Sequence, residues 1–197
     1  MSSITIQQKG ILDIPADAIV NAANSGLLAG GGVCGVIFQR AGERQLAAAC
    51  KEIGHCPEGS AVITAGFGCP CKYIIHAVGP VYRDGTRGEA ELLYGAYKSS
   101  LQLCRQHDLH SVVFPLISAG IFGYPVQAAW CQAIAACRDF ISGNPDFDIS
   151  ITFAIPEEEK LVVGQQVLGN YGSAGGRGGC CPRRGGAANE GSCIGSS

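Results

Sequence analysis

Two stretches of this chain combine residue types that could hold an anion without a basic side chain. The first reads Asn21-Ala22-Ala23-Asn24-Ser25-Gly26-Leu27-Leu28-Ala29-Gly30-Gly31-Gly32-Val33-Cys34-Gly35, and the second Ser118-Ala119-Gly120-Ile121-Phe122-Gly123-Tyr124-Pro125. Glycines in such loops expose backbone N–H groups and permit close approach, and a helix start adds partial positive charge. That combination suits phosphate. No Lys or Arg lies between Gly10 and Gln39, and Ser111–Cys137 contains no charged residue. An anion bound there must rest on main-chain N–H groups, an arrangement compatible with a diphosphate clasped between two loops. The Gly-Lys-Ser/Thr of a Walker A site is absent.

The elements that must position these loops are legible in the hydrophobic spacing. Strand-like runs occupy Ile4–Gln8, Ala18–Asn21, Ala61–Ala65, Tyr73–Val78, Ser111–Pro115 and Ile149–Ile155. Several are continuous Val/Ile stretches, as expected of strands covered on both faces. Helical spacing runs from Glu89 to His107 and again after Pro125, through Trp130 to Phe140. A further helix is expected from Val33 to Ile53, and a short one from Glu157 to Leu168. Strand–helix alternation predicts an α/β fold, a three-layer α/β/α sandwich with a mostly parallel, mixed central sheet. In such sheets ligands bind outside the carboxyl ends of the strands, where both glycine loops fall.

The remaining composition bounds the function. The chain has 197 residues, 47% of them hydrophobic and 15% charged, with a net charge of −2. That length suits one domain of roughly 100–200 residues, and the balance gives no broad basic field for nucleic acid. No apolar run approaches the ~20 residues of a membrane span, so a cytoplasmic protein is expected. Of the 11 cysteines, Cys50, Cys104, Cys131 and Cys137 fall on apolar helix faces, where reduced thiols act as small hydrophobes. Cys69-Pro70-Cys71, near His55, Cys56 and His76, lacks the second well-spaced pair of a zinc site, and no metal is assigned. From residue 172 to 197 the chain holds nine glycines, Arg177, Arg183 and Arg184, and Ile194 as its one large aliphatic residue. Such a segment cannot offset its ordering entropy. It is expected to be a disordered tail after a domain spanning 1–171.

The two loops, with Asp17-Ala18-Ile19-Val20 before the first and Tyr73-Ile74-Ile75-His76-Ala77-Val78-Gly79-Pro80 between them, resemble the macrodomain family, whose modules bind ADP-ribose. The similarity covers roughly residues 3–168. It implies that Asn24 hydrogen-bonds the distal ribose, that Gly30, Gly31, Gly32 and Val33 face ribose and diphosphate, and that Ser118, Ala119, Gly120, Ile121 and Phe122 complete the cradle. Three departures stand out. Cys34 occupies the place where the catalytic branch often carries Asp, and a thiol is a poor general base. The adenine-binding Asp is displaced, with Asp13 its candidate. Pro156 stands where an adenine-stacking aromatic is expected, while alternation points Phe153 into the core.

The resemblance implies one of two activities. One is hydrolysis of ADP-ribose esters, either deacetylation of O-acetyl-ADP-ribose or removal of mono-ADP-ribose from protein carboxylates. An ordered water held by the ligand diphosphate and Asn24 would attack, with Cys34 at the position of the usual Asp. The alternative is a non-catalytic reader of ADP-ribose. The expected partners are ADP-ribose or an ADP-ribosylated protein, with no cofactor, nucleic acid or membrane, and the chain is expected to be a monomer. His76 is read as a satisfied core histidine, Trp130 as core, and Glu157-Glu158-Glu159 as a helix start complementing the helix dipole.

Overall fold

A computed structural model of the chain describes residues 1–173. Six strands, β1 (Ser3–Gln7), β2 (Ala18–Ala23), β3 (Ala61–Ala65), β4 (Tyr73–Val78), β5 (Ser111–Phe114) and β6 (Ser150–Ala154), form one sheet in the order β1-β6-β5-β2-β4-β3. Every neighbouring pair is parallel except β3–β4. The antiparallel β3 closes one edge and makes the sheet mixed. Five helices cover it: α1 (Gly32–Ala41), α2 (Glu43–Ile53), α3 (Glu89–Gln106), α4 (Val126–Gly143) and α5 (Glu158–Ser173).

Period-two alternation divides the strand side chains between two cores. Ile19, Ile74 and Val78 pack with Ile37, Phe38 and Leu46 of α1 and α2. Val20, Ile75 and Phe153 pack with Tyr97 of α3, Trp130 and Ile134 of α4 and Val167 of α5. The result is the expected three-layer α/β/α sandwich. Each fully buried Phe or Ile here contributes roughly 1.5–3 kcal/mol relative to an exposed one.

The helix expected over Val33–Ile53 is two helices. Gly42 adopts φ +98°, outside the right-handed helical region, and turns the chain between α1 and α2. At the other end, α5 runs to Ser173, past the composition change at Tyr171. The remainder of the expected tail, from residue 174 onward, lies outside the described residues.

Cys50, Cys104, Cys131 and Cys137 are buried and form no disulfide, with Cys34, Cys56 and Cys69 alongside them. Burial, with the nearby Cys34 adding to it, pushes the Cys50 thiol up to about 11. Among the described residues no group of three or more His, Cys, Asp and Glu is arranged to hold a metal. No helix there is long and apolar enough to cross a membrane.

Two buried aromatic side chains connect the helical layer to the carboxyl end of the sheet. The Tyr97 hydroxyl accepts from Ile117 N–H at 2.9 Å and donates to Pro115 O at 3.3 Å, so α3 sets the path of the chain leaving β5. Burial raises its pKa far above the ordinary phenol value. Trp130 on α4 donates its Nε1–H to Lys160 O at 2.9 Å. A Cβ on Gly164 would lie 2.5 Å from Trp130 Cε2, so only glycine lets α5 pack this closely. That seating fixes α5 against α4.

Candidate functional site

The carboxyl ends of β6, β5 and β2 lie side by side, and the segments leaving them enclose a cavity of about 290 Å³. One wall comes from Asn24 and Gly30–Cys34, the opposite wall from Pro115–Ser118 and Gly120–Phe122, and a third from Ala154–Glu157 with Lys160. A larger groove of about 750 Å³ lies on the outer surface between α3 and α4. Several of its polar groups are engaged with one another: Tyr94 donates to Asp139 at 2.7 Å, and Arg105 holds Asp146 at 2.7 Å and Asn144 at 2.8 Å. The chemistry concentrates in the smaller cavity.

Its first wall ends at a helix start. Gly31 is the N-cap of α1, with no side-chain cap and no acidic residue in the first turn. The leading N–H groups of a helix have no intrahelical acceptor, so those of Gly32, Val33 and Cys34 are available to a ligand. Gly35 keeps the loop close: a Cβ there would fall 2.6 Å from Gly30 O.

The second wall is a tight turn. Ser118 takes the left-handed conformation, φ +64°, rare for a residue with a side chain. Tyr124 N–H then closes onto Ser118 O at 2.8 Å and Gly123 N–H onto Gly120 O at 3.0 Å. The N–H groups of Gly120, Ile121 and Phe122 are left without an acceptor among the described residues. Behind the turn, Tyr82 N–H donates to Phe122 O at 2.9 Å. Ser118 Oγ is itself buried and unpartnered, and it touches Gly79, where any side chain would collide with it. The start of α4 does not line the cavity; this wall offers loop amides, where the sequence pointed also to a helix terminus.

Asn24, Gly30, Gly31, Gly32, Val33, Cys34, Ser118, Gly120, Ile121 and Phe122 all line the cavity. Two expected residues do not. Asp13 is exposed, folded over the turn it makes with Gly10, to whose O its N–H donates at 3.0 Å. Ala119 packs toward the core beneath the turn. Phe153 is fully buried, and Pro156 lines the cavity.

The sequence reading missed Glu157 and Lys160, a pair at 3.2 Å, as part of the wall. The loops themselves hold no cation, yet α5 brings one beside them. The signal lay in the last strand, whose carboxyl end is next to that of β5; the rule applied to the two glycine loops applied there too.

Asn24 is already engaged. Its Nδ2 donates to Leu28 O at 2.8 Å and its Oδ1 accepts from Leu28 N–H at 2.9 Å. This clamp curls the loop and leaves one amide hydrogen and one oxygen lone pair for a ligand.

A macro domain family model matches residues 20–133. A macro domain-containing protein of Chlorobaculum tepidum is 43% identical over 158 residues, covering 80% of this chain and 91% of its own. The chain belongs to the macrodomain family. An O-acetyl-ADP-ribose deacetylase of Escherichia fergusonii is 44% identical to this macrodomain over 175 residues, covering 87% of this chain and 98% of its own. Among solved structures, the Oceanobacillus iheyensis macrodomain with ADP superposes with a TM-score of 0.81 at 33% identity, covering 86% of this chain and 92% of that one. The Trypanosoma brucei macrodomain in complex with ADP-ribose gives 0.77 at 32% identity, over 84% and 68% of the two chains.

Proposed function

We propose that this macrodomain binds ADP-ribose in the cavity and hydrolyses its esters, O-acetyl-ADP-ribose or mono-ADP-ribose on protein carboxylates. The observation that carries the reading is two sets of acceptor-free N–H groups, Gly32–Cys34 and Gly120–Phe122, facing one cavity. A diphosphate between them accepts from both, and each charge-assisted hydrogen bond contributes about 1.5–3 kcal/mol. Relatives named for O-acetyl-ADP-ribose deacetylation at 41–44% identity support the hydrolase.

In deacetylation, a water held between the diphosphate and the Asn24 amide attacks the acetyl carbonyl carbon. The bond from that carbon to the ribose oxygen breaks, the ribose oxygen takes the proton that the attacking water passed to the diphosphate, and acetate leaves as the second water proton goes to solvent. Asn24 orients, and the diphosphate oxygen receives the water's proton. Fixing water and ester in one geometry can supply roughly 7–11 kcal/mol of the barrier in favourable cases. Cys34 lines the wall with its Sγ turned to Leu28 O at 3.6 Å, so the mechanism asks no base of it.

That same contact favours the second reading, a reader without chemistry. Acetate release from O-acetyl-ADP-ribose, run beside release of ADP-ribose from a glutamate-modified protein, separates the two. Turnover lost in Asn24→Ala supports the hydrolase. Micromolar ADP-ribose binding by calorimetry with no turnover on either substrate makes it a reader, and no binding ends both readings.

A further inference from the structure

A chain of buried polar side chains runs from the β3 edge of the sheet to Asn24. Thr64 Oγ1 contacts Ala65 O at 3.2 Å and His76 Nε2 at 2.9 Å. With its proton on the carbonyl, the hydroxyl accepts from Nε2–H. The His76 ring is fully buried, and burial lowers its pKa to about 4, so it is neutral near pH 7. A proton on Nε2 leaves Nδ1 to accept from Asn21 Nδ2 at 3.1 Å. The other Asn21 amide hydrogen faces Cys34 Sγ at 3.7 Å, and Cys34 in turn donates to Leu28 O at 3.6 Å. Leu28 O is the carbonyl that Asn24 Nδ2 holds.

The Asn21 amide nitrogen is the branch point of the series: it donates back to His76 Nδ1 and forward toward Cys34 Sγ, which donates on to Leu28 O, while Asn21 Oδ1 is buried without a partner. We propose that Thr64, His76 and Asn21 are positioning residues of the site, holding Cys34 as a thiol donor to Leu28 O and through that carbonyl fixing the Asn24 amide at the cavity wall. The proposal rests on the ADP-ribose reading of the cavity for its functional consequence, and on geometry alone for the chain itself. It gives position 34 a task different from a carboxylate's. An acid there still accepts from Asn21, but it meets Leu28 O acceptor to acceptor and loosens the clamp.

The test uses the full chain. Ring ¹⁵N shifts of His76 at pH 7 should report a neutral imidazole with its proton on Nε2. A proton on Nδ1, or a charged ring, overturns the proposal, because either reverses or breaks the series. Thr64→Val keeps the side chain's shape and removes the first acceptor, while Thr64→Ser restores it. The Asn24 side-chain NH₂ resonances should move in Thr64→Val and in Cys34→Val and return in Thr64→Ser. Resonances unmoved in a folded Thr64→Val also overturn it. In calorimetry, Thr64→Val should weaken ADP-ribose binding about fivefold, the equivalent of one modest buried hydrogen bond, with Thr64→Ser recovering it. If the unaltered chain binds no ADP-ribose while the His76 and Asn24 signals behave as described, the functional reading fails and the positioning chain stands.

Discussion

The two walls that face each other across the cavity are built differently. The β2–α1 wall is braced by side chains: Asn24 on Leu28, Cys34 on the same carbonyl, and Asn21 and His76 behind them. The β5–α4 wall is braced by backbone: a left-handed Ser118, two closing turns, and a clasp from Tyr82 N–H to Phe122 O. Where a side chain does brace it, the Tyr97 hydroxyl grips main chain at both contacts. The first wall therefore depends on which residues it carries, and the second on which backbone conformation it keeps. Substitutions should separate the two.

The largest effect is expected from Gly120→Glu. A Cβ there meets nothing within 4 Å and the residue's φ is not in the left-handed range, so the fold accepts the side chain. Its carboxylate then stands where the diphosphate would lie. Two like charges ~4 Å apart repel by about 4 kcal/mol near a protein surface, and calorimetry should show ADP-ribose affinity falling by two to three orders of magnitude with unfolding temperature unchanged. Retained affinity would mean that the second wall does not contact the anion.

A smaller effect belongs to the first wall alone. His76 takes up a proton near pH 6.5 when unfolded but only near pH 4 when folded. Between those values the unfolded chain binds more protons, so stability falls as pH drops from 6.5 to 4, by about 3 kcal/mol in total. Denaturant unfolding at stepped pH should show that slope, and His76→Gln should remove this contribution. The second wall has no counterpart, since Tyr97 stays protonated throughout this range.

Tyr97→Phe tests the second wall's brace. Ile117 N–H and Pro115 O lose their partner in the core, which should cost about 1–3 kcal/mol of stability. The Asn24–Leu28 clamp should be unaffected, as amide exchange at Leu28 would show. The smallest change is expected for Lys160→Met. The cation is partly exposed and already paired with Glu157, so its removal should weaken ADP-ribose binding only severalfold, and less at high salt.

The contrast also explains what could be read from the residues in order. The second wall is local: Ser118 to Pro125 carries its own turn chemistry, and its amide-rich character was evident before the fold was known. The strands were equally legible, because Val/Ile runs such as Tyr73–Val78 report two-sided burial directly. What escaped depends on distant packing. Lys160 reaches the cavity because Trp130 of α4 packs on Gly164 of α5 and holds Lys160 O, a contact that no spacing within Glu157–Leu168 encodes. Gly42 broke the helix expected over Val33–Ile53 because uninterrupted apolar spacing carries no record of a positive φ. The hydrogen-bonding sense of Cys34 likewise depends on His76, which arrives from another strand.

The central claim is that two sets of free main-chain N–H groups grip one anion together. Titrating ¹⁵N-labelled protein with ADP-ribose tests it most directly. Amide resonances of Gly32–Cys34 and of Gly120–Phe122 should shift in concert and saturate at one equivalent. Shifts confined to the α3–α4 groove, or to one wall with the other silent, would contradict it.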